Sequence, residues 1–434
     1  MSTVLHMATP SEAPRPSRSI RPARPFNPTL TVTVLREVAE LERLQGEWEE
    51  LLARSSGLHP SLTPTWLLTW WRVFGPRDGR RLHTLVVRDG RRLVGLFPML
   101  ERRQWHHRIV AMRRIEPIGA GEDREDEILS EYLGPIAATG REHDVVEAIA
   151  DHLAASRAGW EELVFPALEG QSPAASRLEP AFRARGFACE TRIFGQCPFI
   201  ALPKRWEDYL AALSSDDRYM VKRSLRDFER WAGKTGVVDV ARSHEDLQRG
   251  KAILHQLHEH RWQAGGQDGV FASPTFRLFH DMVMPALLDR GELDLRWLMA
   301  NGEPVAVSYS VINENRLYFY QGGRATRVPK GVRPGIVLHL YAIKAAIEAG
   351  RLEYDFLGGD ARYKLQLSTG TRPLTELRVT RPSLPEAARA ALGAGRAFLV
   401  EARARARAEW AKRRPQAVTP GAPPAGAAPP PAGA

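Results

Sequence analysis

The sequence predicts an α+β chain in which two lobes of similar build, each a mixed sheet flanked by helices, lie between disordered tails. Two hairpin signals, Asp89-Gly90 and Asn301-Gly302, stand 212 positions apart, and each is followed by further strand and helix patterns. The chain has 434 residues, more than a single hydrophobic core usually holds together, and 43% of them are hydrophobic. Both ends are rich in proline. We therefore divide the chain into an arm (1–28), a first lobe (29–200), a second lobe (201–385) and a tail (386–434).

The net charge of +10 lies mostly in the two ends of the chain. Residues 1–28 and 386–414 together carry +8, so the body between them carries only about +2. Such a body is a poor general nucleic-acid platform, and we expect no DNA partner. The cations of the tails could instead contact a membrane surface or a biosynthetic complex.

Composition also bears on compartment and on metal binding. No apolar stretch is long enough to span a bilayer and the start has no apolar signal core, so we expect a cytoplasmic protein with no transmembrane segment. Cys189 and Cys197 are too few for a disulfide framework or a cysteine metal site. His258-Glu259-His260 lacks the spacing that puts two imidazoles on one helix face. We expect no metal.

The first lobe begins with helical patterns over 35–52 and 61–74. Strands over 82–87 and 93–100 form its hairpin, and a helix over 145–155, a strand over 163–166 and a helix over 172–185 follow. The aromatic residues of the second helix are expected to be core rather than a ligand platform: Trp66, Trp70, Trp71 and Phe74. The acidic stretch from Glu122 to Glu127 would repel phosphate, and we interpret it as a solvated loop. Cofactor binding therefore belongs to the second lobe.

The second lobe contains a complete strand–loop–helix–strand unit. Strands are predicted over 293–300, 305–312, 316–321 and 352–357, with a helix over 336–347 that ends at Gly350 and a polar turn over 358–364. The loop before that helix contains two glycines and two cations, and free N–H groups at a helix start suit a phosphate or pyrophosphate. The candidate phosphate ligands are Lys330, Gly331, Arg333 and Gly335. Such a loop is also common as a plain connection.

A helix between the lobes carries a basic ridge. Arg218, Lys222 and Arg226 recur at positions i, i+4 and i+8, so they share one helix face. A ridge of this kind is usually solvated. Its alternative role is contact with an anionic cofactor or substrate.

The order of these motifs resembles the GNAT acetyltransferase fold, and within it the CelD-type acetyltransferases that are related to the FemAB aminoacyltransferases. The resemblance extends roughly from Leu30 to Thr380 and rests on Trp66 with Trp70-Trp71, Leu93 to Pro98, Arg218 to Arg226, Tyr354 to Asp360 and Tyr363-Lys364. It implies tandem GNAT-like lobes and an acyl-CoA, such as acetyl-CoA, as a co-substrate. It also implies a link to cellulose or exopolysaccharide synthesis.

The resemblance further implies roles for individual residues. Acyl transfer needs a base for the acceptor and an acid for the departing thiolate. The candidates for the base are Asp355, Asp360 and His260, and those for the acid are Tyr320 and Tyr363. Arg218 and Lys222 become candidate cofactor contacts, and Arg261, Trp262 and Lys364 candidate substrate contacts. Lys364 and Asp355 could alternatively form a structural ion pair.

The sequence thus predicts an acyl-CoA-dependent acyltransferase of the GNAT N-acetyltransferase family that acts on an amine or hydroxyl acceptor, in polysaccharide or cell-envelope biosynthesis. Two alternatives stay open. One is a FemAB-like aminoacyltransferase that uses aminoacyl-tRNA, which would need a basic surface for the tRNA. The other is a non-catalytic GNAT-like interaction module.

Overall fold

The computed structural model describes residues 30–57, 59–156, 159–263, 266, 269–359, 361–393, 401 and 403. The predicted arm over 1–28, most of the predicted tail over 386–434 and the candidate base Asp360 lie outside the described residues.

The first lobe alternates short helices with antiparallel strands. Its elements are β1 Leu30–Leu35, α1 Val38–Arg43, α2 Gln45–Leu52, α3 Pro64–Phe74, β2 Arg81–Leu82, β3 Thr84–Asp89, β4 Arg92–Phe97, β5 Met99–His106, β6 Val110–Pro117, β7 Ile136–Ala137, α4 Glu142–Ala155, β8 Glu162–Glu169, α5 Ala175–Ala184 and β9 Ala188–Ala201. Helix α3 starts where its sequence favours a start, because the Thr63 side chain accepts a hydrogen bond from the Trp66 amide and Pro64 occupies the first turn.

The second lobe has longer helices and a longer meander of strands. Its elements are α6 Trp206–Ala212, α7 Ser215–Ala232, β10 Val237–Val240, α8 His244–Gln263, α9 Pro274–Asp289, β11 Leu293–Ala300, β12 Glu303–Asn313, β13 Arg316–Arg324, α10 Pro334–Glu348, β14 Glu353–Asp355, α11 Arg362–Leu367 and β15 Gly370–Thr380. The hairpin at Asn301-Gly302 forms as predicted, with φ of 53° and 83° at these two residues.

Two sheets organise the chain. A small sheet has the strand order β1-β3-β4-β7, and a large one has the order β10-β11-β12-β13-β14-β9-β15-β8-β6-β5-β2. Strand β15, the last strand among the described residues, lies between β9 and β8, so strands of both lobes alternate at the centre of the large sheet. The predicted fold class, mixed sheets flanked by helices, is confirmed.

Each lobe contains one parallel strand pair joined through a helix. Strands β6 and β8 pair in parallel with α4 between them in the chain, and β13 and β14 do so with α10 between them. This repeated unit is what the pattern of two hairpins anticipates.

Several local predictions differ from the structure. The predicted strand over 93–100 is two strands that belong to different sheets, β4 up to Phe97 and β5 from Met99, and the predicted strand over 82–87 is divided between β2 and β3. The predicted helix over 35–52 is strand β1 up to Leu35 followed by the two helices α1 and α2, which meet at Leu44. The apolar period continues across that break because Leu41, Leu44 and Trp48 belong to the same core. The predicted polar turn over 358–364 contains the start of helix α11 at Arg362.

The aromatic residues of α3 are core, as predicted. Trp66 and Trp70 are buried, and the Trp66 ring packs edge-on against Phe279 and Tyr320 of the second lobe. Helix α3 therefore ties the two lobes together through apolar contacts.

Candidate functional site

Strands β13 and β14 diverge after a short parallel pairing. Only Arg316–Tyr318 pair with Glu353–Asp355, whereas β13 continues to Arg324. A register shift against β12 adds one residue to β13, because Tyr309 pairs with Gln321 and Ser310 with Phe319. Tyr320 is therefore a β-bulge. Beyond it, one edge of β13 has no neighbouring strand, and backbone groups of that edge are left for other partners.

A cavity of about 390 Å³ lies beside this gap. Its walls come from β12, β13, the start of α10, the end of α8 and the loop into α11: Arg261, Val307, Ser308, Phe319, Gly322, Gly323, Arg324, Val332, Arg333, Pro334, Gly335, Ile336, Leu338, His339, Ala361 and Tyr363. We call it the donor cavity. The Ser308 Oγ is buried and has no hydrogen-bond partner among the described residues, so a ligand group in this cavity would satisfy it.

The start of helix α10 forms part of the cavity wall. Arg333 is the residue that precedes the helix, and the first intrahelical bond runs from the Val337 amide to the Arg333 carbonyl at 3.0 Å. The amides of Gly335 and Ile336 precede that bond, and the first turn has no acidic side chain. Both features favour a bound anion, as does the positive end of the helix dipole.

The predicted phosphate ligands lie on two sides of this helix start. Arg333 and Gly335 line the donor cavity, whereas Lys330 lines a neighbouring groove. Gly331 has a φ of 97°, a conformation that glycine adopts without strain. The loop therefore turns at Gly331.

The neighbouring groove, of about 570 Å³, is strongly basic. It is lined by Tyr219, Arg223, Arg226, Asp227, Arg230, Trp231, Lys330 and Val332, and Val332 is shared with the donor cavity. We call it the basic groove. Three arginines of α7 surround the single carboxylate of Asp227 at 3.2, 3.8 and 3.6 Å, so positive charge is in excess.

The other two predicted cofactor contacts on α7 lie elsewhere. Arg218 donates a hydrogen bond to the Leu213 carbonyl at 3.2 Å, and Lys222 is exposed. Neither residue lines the donor cavity or the basic groove. The basic ridge of α7 thus contributes Arg226, Arg223 and Arg230 to the groove.

Two of the predicted catalytic or substrate residues do line the donor cavity. They are Arg261 at the end of α8 and Tyr363 at the start of α11. The Tyr363 ring stacks on His339 with centroids 5.1 Å apart, and burial raises the pKa of Tyr363 to about 12. Burial lowers the pKa of His339 to about 3, so this imidazole is neutral at physiological pH. His260 is exposed on α8, and Trp262 donates from Nε1 to His258 at 3.0 Å.

Asp355 is a buried residue at the junction of the lobes. Its Oδ2 accepts hydrogen bonds from Tyr132 and Arg372, both at 2.9 Å, and its Oδ1 accepts one from the Leu357 amide at 2.7 Å. Burial raises the pKa of Asp355 above its usual range, and Arg372 opposes that shift. Asp355 does form an ion pair, and its partner is Arg372 rather than Lys364.

Lys364 and Tyr320 also have partners inside the protein. The Lys364 ammonium donates to the carbonyls of Phe356, at 2.8 Å, and Gly358. The Tyr320 hydroxyl donates to the Ile128 carbonyl and lies 3.2 Å from Nε2 of His280. Neither residue lines the donor cavity.

Glu131 is a site residue that the sequence reasoning did not identify. It belongs to the long connection between β6 and α4, which reaches from the first lobe to the β13–β14 gap. Its Oε1 accepts a hydrogen bond from the Gly358 amide at 2.8 Å, while Oε2 is buried without a partner among the described residues. Burial raises the pKa of Glu131 to about 7, and the nearby Lys364 opposes the shift. No local motif marks Glu131, because the residues around it in space, Gly358 and Lys364, belong to the other lobe.

The acidic stretch before Glu131 is only partly solvated. Asp123, Glu125 and Glu127 are exposed, as predicted. Glu122 instead accepts a hydrogen bond from Trp70 Nε1, and burial raises the pKa of Glu122 to about 7. The stretch is therefore anchored to the core at one end.

The equivalent gap of the first lobe is filled by the chain itself. The Leu133 amide bonds to the Ala167 carbonyl of β8 at 2.9 Å, and Tyr132 lines the small space beside it, which has a volume of about 20 Å³. That space is far smaller than the donor cavity. The gap beside the parallel strand pair is therefore ligand-sized in the second lobe and filled in the first.

The described residues contain neither a metal-binding cluster nor a membrane-spanning helix. In the described ranges, no group of three or more His, Cys, Asp or Glu side chains is placed to bind a metal ion. None of the helices in those ranges has the length and apolar character that crossing a bilayer requires.

Comparison with known proteins gives one domain match and several similar folds. Residues 215–365 match the model of the acetyltransferase (GNAT) domain. The fold is similar to the crystal structure of FemX, with a TM-score of 0.51, 11% identity, and coverage of 76% of this chain and 95% of that chain. A tandem GNAT protein from the clavulanic acid biosynthesis pathway gives a TM-score of 0.43 at 15% identity, over 82% of this chain and 99% of that one. L-PGS from Bacillus licheniformis gives a TM-score of 0.45 at 15% identity, and the match covers 79% of this chain and 94% of that chain.

No curated protein matches the chain by sequence. The similarity to FemX concerns the fold. The domain match covers α7 to α11, which are the elements that build the donor cavity and the basic groove. Residues 215–365 of this chain are therefore similar to the acetyltransferase (GNAT) domain.

Proposed function

We propose that the chain is an acyl-CoA-dependent acyltransferase that moves an acetyl or similar acyl group to an amine or hydroxyl acceptor. The observation that carries the proposal is the donor cavity, which joins the unpaired edge of β13 to the start of α10. An acyl-CoA has a diphosphate at one end and an amide-containing arm with a thioester at the other. The cavity offers matching groups in the same order.

The diphosphate would lie at the start of α10. The amides of Gly335 and Ile336 are the donors there, and Arg333 and Arg324 supply positive charge at the cavity wall. Together they act as a helix-terminus anion site reinforced by guanidinium groups.

The arm and thioester of the donor would run along β13. Gly322 leaves the strand backbone uncovered by a side chain, and the bulge at Tyr320 interrupts its pairing with β12. Amide-rich ligands bind such edges as an additional strand would. A backbone N–H beyond the bulge would then face the thioester carbonyl and stabilise the charge that develops on its oxygen.

Glu131 is the group best placed to accept the acceptor's proton. Phe319 and Tyr363 line the donor cavity on one face of the gap, while Glu131 lies on the other face with Tyr320 and Leu357. A carboxyl group whose pKa is about 7 is half ionised at neutral pH, which suits a general base. His260 is exposed and Asp355 is occupied by Arg372, so this role is better assigned to Glu131 than to either.

In the proposed transfer one bond to the thioester carbon forms and one breaks. The acceptor nitrogen or oxygen bonds to the thioester carbon as its proton passes to Glu131, and the carbon–sulfur bond then breaks. The departing thiolate accepts a hydrogen bond from the Tyr363 hydroxyl, which stays protonated because its pKa is about 12. The thiolate finally takes a proton from solvent, and Glu131 returns its own proton to solvent.

Two observations bear on the identity of the acceptor. The CelD-like order of motifs supports a sugar or polysaccharide precursor in the cell envelope. The geometry limits the acceptor to a group that can reach the Glu131 face of the gap.

A second candidate function is an aminoacyl transfer from aminoacyl-tRNA. The observation that favours it is the basic groove, whose four cations face one carboxylate although the body of the chain is nearly neutral. A polynucleotide donor would place backbone phosphates there and its acylated end in the donor cavity. An acyl-CoA would need little of this groove.

Calorimetry on three variants tests the donor. For Lys330→Ala with Arg333→Ala we expect acetyl-CoA affinity to fall at least about tenfold, because charge-assisted contacts to phosphate are lost. Lys344→Ala is the matched control. Lys344 is an exposed lysine near the far end of helix α10, and its ammonium lies 4.0 Å from the Glu348 carboxylate. Unchanged affinity in the double variant would remove the loop from the donor site.

The same measurement separates the two donors. Arg226→Ala with Arg230→Ala should leave acetyl-CoA affinity unchanged, whereas it should weaken aminoacyl-tRNA binding in a salt-dependent manner. Binding of aminoacyl-tRNA without any binding of acyl-CoA would favour the second function. Binding of neither would favour the non-catalytic module.

A further inference from the structure

The hairpin of β5 and β6 ends in two exposed apolar side chains. Trp105 is 55% exposed and Ile109 is 66% exposed, and only three residues separate them in the chain. Arg108 lies between them at the turn, next to His107. Exposed tryptophan and isoleucine at the tip of one hairpin form a small apolar surface with a cation in its middle.

A second groove rich in arginine, in the first lobe, is lined in part by the two strands of this hairpin, through Arg103 of β5 and Arg113 of β6. It has a volume of about 380 Å³ and is lined by Gly79, Arg81, Glu101, Arg102, Arg103, Arg113 and Gly159. Two of its arginines are neutralised, since Arg102 pairs with Glu116 at 2.5 Å and Arg113 with Glu161 at 2.8 Å. Within the described part of the chain, Arg81, Arg103 and Arg108 have no carboxylate within ion-pair distance. The carboxylate of Glu101 is shared with Arg36, at 3.7 Å, and His83.

The strand register places like charges opposite each other at this site. Arg103 of β5 pairs directly with Arg113 of β6, and Trp105 pairs with Ala111 on the same face. Like charges directly opposite in a ladder are destabilising by themselves. Because Glu161 already neutralises Arg113, Arg103 is the cation of this pair that remains available to bind an anion.

We propose that the tip of this hairpin and the adjoining groove dock the protein on an anionic phospholipid surface. The residues that would contact the lipids are Trp105, Ile109, Arg103, Arg108 and Arg81. Tryptophan and isoleucine enter the boundary between head groups and acyl chains, where an aromatic ring with a polar N–H is stabilised. The arginines extend their stems along that boundary and bind lipid phosphates. Neither a soluble phosphate nor a nucleic acid would account for the exposed isoleucine. This proposal is independent of the acyltransferase activity and of the tails.

Vesicle co-sedimentation of the full chain tests the proposal. We expect at least about tenfold stronger binding to vesicles that contain phosphatidylglycerol than to vesicles of phosphatidylcholine alone, with a steep loss of binding in high salt. Trp105→Ser with Ile109→Ser should lower binding to the anionic vesicles at least about tenfold. Arg103→Gln with Arg108→Gln should lower it by a similar factor and should reduce the salt dependence.

A matched control is available on another surface. Ile193 and Phe194 of β9 are also exposed, by 62% and 47%, so Ile193→Ser with Phe194→Ser should bind vesicles as the wild type does. Melting temperatures of all variants establish that they fold. If the Trp105 and Ile109 variant binds as the wild type does, or if the wild type does not prefer anionic vesicles, the proposal is wrong.

Discussion

Replacement of Arg372 by methionine should destabilise the junction of the two lobes. The guanidinium of this β15 residue pairs with Glu169 of β8 at 3.1 Å, with Asp355 of β14 at 2.9 Å and with Glu353 of β14. It also lies 3.9 Å from the centre of the Phe199 ring of β9. One side chain therefore connects four neighbouring strands.

The magnitude follows from what the substitution leaves behind. Methionine keeps most of the apolar stem but leaves Asp355 buried with no cation in contact. Removal of one partner of a buried ion pair costs roughly 3–5 kcal/mol. For a chain of this size we expect the melting temperature to fall by roughly 5–10 °C.

The loss should also depend on pH. Burial already raises the pKa of Asp355, and without Arg372 the shift should grow. A carboxyl group with a raised folded-state pKa contributes stability that is present at low pH and lost as the pH rises through that pKa. The deficit of the variant should therefore be smaller at pH 5 than at pH 8, by about 1 kcal/mol for each unit of added shift.

Thermal unfolding at these two pH values is the assay. Arg192→Met is the matched control, because Arg192 pairs with Glu376 at 3.3 Å between β9 and β15 but is 68% exposed, and it should change stability by less than about 0.5 kcal/mol. Adding Asp355→Asn to Arg372→Met should recover part of the loss. A deficit equal at both pH values, or no deficit at all, would refute the reasoning.

Three other predictions concern the gap between β13 and β14. Glu131→Gln keeps an acceptor for the Gly358 amide but should lower kcat by about 10² or more, and the wild-type rate should rise with pH through about 7, where the carboxyl group ionises. Asp355→Asn should lower the melting temperature, and full activity in the folded variant would exclude Asp355 from the chemistry. Gly323→Ala should destabilise the protein by roughly 1–3 kcal/mol in chemical denaturation, because its Cβ would lie 2.6 Å from the His258 amide nitrogen.

Much of the second lobe follows from local sequence patterns. Strand β11 has the predicted bounds, helix α10 begins at the predicted loop, and Gly350 follows its end with a φ of 70°. Residue spacing was sufficient to predict these elements because each signal is local. The β-branched runs, the Asn301-Gly302 turn and the apolar period of the helix each depend on residues a few positions apart. The loop pattern suggested Arg333 and Gly335, and the resemblance suggested Arg261 and Tyr363. All four residues line the donor cavity.

Local patterns did not predict which carboxyl group is suited to act as the general base. Asp355 belongs to a motif of the resemblance, yet its environment is set by Tyr132 and Arg372, which are far from it in the chain. Glu131 belongs to no motif, yet it contacts Gly358 from the other lobe. Burial and nearby charges determine which carboxyl group titrates near neutrality, and neither can be read from one segment alone.

By itself the sequence determined the two similar halves and the helix start that suits an anion. Only the tertiary structure decided that β15 lies between β9 and β8, that the first lobe fills its own gap and that Glu131 reaches the second lobe's gap. The physical reason is the distance along the chain between the residues that interact. Turns, caps and strand alternation depend on neighbours in the chain, whereas strand order, burial and charge environment depend on residues that meet only after the chain has folded.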